Sequence, residues 1–105
     1  MTYTVEFSAA AADDLEQLFD VALQRELDSE TGDLDIPDRA MQAIKDGMAF
    51  LKSSPFSCRK AANNPFLRQL VIAFGSTGYV ALFEIVDNNT VIIGAIRHQR
   101  EDDYL

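Results

Sequence analysis

The chain has 105 residues, 48% of them hydrophobic, which is the size of one domain able to bury a core without staples. Its lone Cys58 excludes an internal disulfide and a thiolate zinc site, and no run approaches the roughly 18–20 apolar residues of a membrane span. The net charge of −8 weighs against direct nucleic-acid binding, since affinity for phosphate comes from clustered Lys and Arg.

That charge is uneven. Residues 1–58 hold four basic side chains against twelve acidic ones, whereas residues 59–105 hold five of each. No basic-flanked apolar leader opens the chain. The expectation is a cytoplasmic protein, a single domain over residues 1–105, with no membrane partner, metal or cofactor.

Thr2 to Phe7 alternates, with Tyr3, Val5 and Phe7 on one side, and reads as a half-buried strand. Ser8 supplies an N-cap hydroxyl for a helix reaching Leu27 or Asp28, with Asp13 and Asp14 early, where negative charge suits the dipole. Leu15, Leu18, Phe19, Ala22 and Leu23 form its apolar stripe. Ser29–Asp35 is a polar loop, and Pro37 sits in the first turn of a second helix, where its missing N–H costs nothing. Met41, Ile44, Met48 and Leu51 share one face of that helix, with Ala40 and Gly47 allowing close approach, and Ser53-Ser54-Pro55 ends it. Two antiparallel helices follow.

From Ser57 to Pro65 the sequence reads as irregular. Three β-rich runs then form a meander, Leu67–Phe74, Tyr79–Val86 and Val91–Arg97, separated by Gly75-Ser76-Thr77-Gly78 and Asp87-Asn88-Asn89. The order is strand, helix, helix, strand, strand, strand, an α+β class. Setting Phe74 opposite Tyr79 and Val86 opposite Val91 gathers Leu70, Ile72, Phe74, Tyr79, Ala81, Phe83, Ile85, Ile92 and Ile96 on one face. This bulkier face is assigned to the helices. The other holds Gln69, Val71, Ala73, Val80, Leu82, Glu84, Ile93, Ala95 and Arg97, a largely apolar surface that suggests a partner, with a homodimer or the tail after Arg97 folded across it as the alternatives.

The element order, the strand opening Gly78-Tyr79, and the closing Ile96-Arg97-His98-Gln99-Arg100-Glu101-Asp102-Asp103-Tyr104 resemble the RelE/ParE superfamily of toxins, in particular its ParE-like members. The resemblance covers essentially the whole chain. It implies a two-helix hairpin on one face of a four-stranded antiparallel sheet whose first strand lies beside the last. It also implies a cognate antitoxin that wraps the toxin in a toxin–antitoxin hetero-oligomer.

Two activities occur in the superfamily. RelE-like members cleave messenger RNA on the ribosome, chemistry that needs an activated 2′-hydroxyl, a stabilised phosphorane and a protonated leaving oxygen. The positions corresponding to their basic middle-strand groups are Val71, Ala73 and Val80, none of which donates a proton or meets a phosphate. Arg100, and more loosely Tyr104, match the C-terminal functional groups. ParE-like members instead inhibit DNA gyrase and are not known as enzymes, and this is the expected function. The alternatives are a RelE-like messenger RNA interferase and a non-toxic interaction module of a regulatory complex.

No catalytic residue is assigned. The expected target or antitoxin contacts are Val71, Ala73, Val80, Leu82, Arg97, His98, Arg100 and Tyr104. His98 is the chain's one histidine and has no partner set for a triad. Arg68 is expected to pair with Glu84 across the strands, Arg59 and Lys60 to be solvated, and Cys58 to be an inert loop residue. The acidic residues of the first helix read as a solvated face. Superfamily toxins are commonly basic, and this chain departs from that balance.

Overall fold

A computed structural model describes residues 2–99 of the chain. In chain order these form β1 (Thr4–Phe7), α1 (Ala9–Asp28), α2 (Asp35–Leu51), a 3-10 turn at Pro55–Ser57, β2 (Arg59–Ala61), β3 (Asn64–Phe74), β4 (Thr77–Ile85) and β5 (Thr90–His98). The strands make one sheet in the order β1-β5-β4-β3-β2, with both helices on one face.

Local chemistry sets the joints. The Ser8 hydroxyl accepts from the Ala11 N–H at 3.1 Å, capping α1, while its own N–H and O–H bind the Ile93 and Gly94 carbonyls. Asp14 does more than meet the helix dipole. Its carboxylate accepts the Ile96 N–H at 3.0 Å, satisfying the edge of β5 where β1 has already ended. A side chain at Gly32 would run into the Glu26 carbonyl, so the loop between the helices turns there. Gly75, at φ +61°, occupies the first of the two loop positions joining β3 and β4, the place where a tight hairpin needs a left-handed residue.

The expected strand beside the last one is present, but β1 runs parallel to β5, so the sheet is mixed. The strand count is five instead of four because Arg59–Ala61, within the stretch read as irregular, pairs antiparallel with β3 across Ala62-Asn63. Three residues are too few for an alternation to register. Pro65 also fits inside β3, because that end runs past β4, whose pairing starts at Leu67.

The registers also differ from expectation. Phe74 faces Thr77 and Ile72 faces Tyr79, a shift of two that preserves the faces. Between β4 and β5 a bulge separates Leu82↔Ala95 from Phe83↔Ile93 and leaves Gly94 as the extra residue. Beyond it the phase flips. Ile93 is fully buried in the helix-side core and Ile92 turns to the other face, the reverse of the sequence assignment.

The core lies between helices and sheet: Ala11, Ala40, Ile44, Met48 and Leu51 above, and Ile72, Tyr79, Ala81, Phe83, Ile85, Val91, Ile93 and Ile96 below. Gly47 lets α2 approach closely, since a Cβ there would stand 2.9 Å from Ile72 Cδ1. Tyr3, Val5, Leu15 and Leu18 pack around the margin.

Candidate functional site

The sheet's second face carries five of the eight expected contact residues. Val71, Val80 and Arg97 form one row across β3, β4 and β5, with Ala73 and Leu82 diagonal to them. Val71 is 43% exposed and Ala73 is exposed, while Leu82, Ala95 and Arg97 are half-buried. Val80 is only 1% exposed, yet it stands outside the core cluster beneath the helices. The face is therefore apolar at its centre, with Arg97 at one end and an Arg59–Gln69 hydrogen bond of 2.9 Å toward the β2 edge. Acid–base chemistry at a scissile phosphate has no proton donor or acceptor among Val71, Ala73 and Val80.

His98 does not share this surface. It pairs with Tyr79 and so turns to the helix side, its ring edge-on to Tyr79 at 5.7 Å and its Nε2 3.2 Å from the Thr77 hydroxyl. Arg97 and His98, adjacent in sequence, thus serve opposite faces. Arg100 and Tyr104 lie outside the described residues.

On the helix side His98 borders a groove of about 870 Å³ between α1, the start of α2 and the β3–β4 turn. Leu18, Val21 and Phe74 supply apolar walls, and the charged lining is mixed, Arg25 and Arg39 standing with Asp14 and Glu26 and Arg39 ion-paired to Asp33 at 3.1 Å. Phe74 stacks on Tyr79, with ring centroids 6.2 Å apart. Burial pushes the Tyr79 hydroxyl above its ordinary pKa, and the nearby Arg25 guanidinium partly opposes that rise. Sequence reasoning did not select Arg25 or Tyr79 for a site. Arg25 sits in a helix 54 residues before Tyr79, which itself reads simply as a strand aromatic.

Arg68 departs from its expected partner. Leu67, not Arg68, faces Glu84. The Arg68 guanidinium instead donates to the carbonyls of Pro65 (2.7 Å), Cys58 (2.8 Å) and Phe56 (3.3 Å) and lies 5.3 Å over the Phe56 ring. It staples the 3-10 turn to β3. Burial raises the pKa of the Cys58 thiol, against a smaller lowering by Arg68, which keeps it protonated and unreactive near neutrality. Among the described residues no three His, Cys, Asp or Glu side chains gather as a metal site, and no helix is long and apolar enough to cross a membrane.

The sequence matches the family model of the ParE toxin of the type II toxin–antitoxin system parDE over residues 5–103. In fold, the chain is similar to one from the chromosomal ParDE TA system of P. aeruginosa, at 18% identity and a TM-score of 0.69, covering 92% of this chain and 96% of that one. It is also similar to a double arginine-to-alanine mutant of the E. coli toxin RelE in the free state, at 15% identity and a TM-score of 0.61, covering 98% and 90%. No curated protein matches the sequence.

Proposed function

The chain belongs to the ParE toxin family of type II toxin–antitoxin systems, and we propose that it arrests growth by inhibiting DNA gyrase in the cytoplasm and is neutralised by a cognate antitoxin. The observation that carries this reading is the open sheet face. Where a messenger RNA interferase would hold phosphate-binding and proton-transferring groups, this chain has the aliphatic side chains of Val71, Ala73 and Val80, the first two exposed and Val80 covered. Such a surface suits a polypeptide, which gains from apolar burial, and gives a scissile phosphate nothing to bind. Val71, Ala73, Val80, Leu82 and Arg97 are the contacts assigned to it, and Arg100 and Tyr104, outside the described residues, are assigned from the sequence alone.

Two assays on the purified chain separate the activities. Gyrase supercoiling falls in its presence under this reading, and ribosome-dependent cleavage of messenger RNA stays at background. The opposite pattern would establish an interferase. Induction in a bacterium stops growth, and coexpression of the adjacent reading frame restores it; unimpeded growth would point to a non-toxic interaction module. Arg100→Ala lowers toxicity, and full growth arrest by that variant would show the arginine dispensable.

A further inference from the structure

A second surface lies at the opposite end of the sheet from β1, around the β2–β3 hairpin. Between Asp46 and Glu84 the sequence has no acidic residue, and its charges there are Lys52, Arg59, Lys60 and Arg68. Lys52 sits beside the start of β1, its carbonyl accepting the Tyr3 N–H, so in a chain of net charge −8 the basic pole at this edge is Arg59, Lys60 and Arg68. Lys60 and Arg68 are cross-strand partners and share a face, with Phe66 two residues before Arg68 on that same face. Arg59 pairs with Gln69 on the other face. The edge therefore shows a cation on each side.

Two aromatic rings stand beside these cations in solvent. Phe56 and Phe66 are 48% and 51% exposed and meet edge to face at 6.3 Å. Arg68 holds Phe56 in place through its three carbonyl bonds and its position over the ring. A rigid, outward aromatic pair loses little conformational entropy when it is covered, the property of an interface anchor. Beside it, β2 is the outermost strand of the sheet. Cations on an edge strand deter pairing with a like-charged neighbour. An acidic strand meets no such barrier.

The geometry points to a docking site for an extended, acidic polypeptide segment that pairs with the outer edge of β2. Its alternate side chains reach Arg59 on one face and Lys60 on the other, while an apolar side chain covers Phe56 and Phe66. A nucleic acid fits less well. It has no amide ladder to pair with the edge of β2, and with Arg68 committed to carbonyls few cations face a phosphate backbone. This edge adjoins the open face at Arg59, and its inference does not depend on gyrase being the target.

The test titrates the full chain with a labelled synthetic peptide of alternating Val and Asp. It binds, more weakly as salt rises, and slows amide exchange at residues 59–61. Lys60→Glu and Phe66→Ser, both at exposed positions, each weaken it roughly tenfold, whereas Asp20→Asn on α1 leaves it unchanged. Should Phe66→Ser lower the melting temperature, Lys60→Gln carries the comparison. Three results would overturn the site: equal binding of a Val/Lys peptide, binding of a single-stranded DNA oligonucleotide in place of the acidic peptide, or self-association of the chain that protects residues 59–61 without peptide.

Discussion

The two faces of the sheet are built by the same strands and differ in phase by a single residue. On the helix side, Ile72, Tyr79, Phe83 and Ile96 are bulky and almost wholly covered. On the open side, Val71, Ala73, Leu82 and Ala95 are smaller and half-buried or exposed. The helices explain the first set, because interlocking with Ile44, Met48 and Leu51 demands volume and shape. They do not explain the second. An apolar row that no helix covers is a feature of binding, and stability should respond very differently to changes on the two faces.

The sharpest contrast is Phe83→Ala, which removes a buried ring at 3% exposure and costs about 3–5 kcal/mol of stability in urea unfolding. A loss near that of a surface substitution would mean the helix-side face is not the core. Arg68→Ala comes next at roughly 2 kcal/mol, since three carbonyls lose their shared donor, and Arg68→Lys recovers little of it because an ammonium lacks the planar fork. Full rescue by lysine would reduce its role to charge alone.

Asp14→Ala costs about 1 kcal/mol by stranding the Ile96 N–H, and faster amide exchange at Ile96 reports the same event. Ala62→Gly acts in the other direction. Ala62 holds a left-handed φ of 57° in the β2–β3 turn, and glycine relieves roughly 1 kcal/mol of that strain. No gain would show that the turn relaxes without it. On the open face, Val71→Ala changes stability by no more than about 0.5 kcal/mol. A loss near that of Phe83→Ala would erase the distinction between the faces.

Much of this was legible in sequence because the signals were local and redundant. Ser8, the Leu15–Leu23 stripe and Pro37 place both helices, and alternation places β3 to β5 within a few residues. The separation of Val71 from Ile72 survived a wrong register because a shift of two conserves side-chain direction. The bulge at Gly94 was not legible. One unpaired residue reverses every assignment beyond it, so Ile92 and Ile93 exchanged faces. β2 is too short to show a period, and the partners of Arg68 are backbone carbonyls, which leave no mark in side-chain chemistry. His98 was grouped with Arg97 by adjacency, and adjacency in a strand means opposite faces.

The open face as a protein-docking surface is tested most directly by the affinity of Val71→Glu for the proposed cognate antitoxin, measured alongside its melting temperature. A carboxylate on the exposed β3 position of this face weakens binding by roughly tenfold or more while the fold is retained, because a buried, unpaired charge opposes docking. Undiminished affinity in a folded variant would contradict the assignment and remove this face from the antitoxin interface.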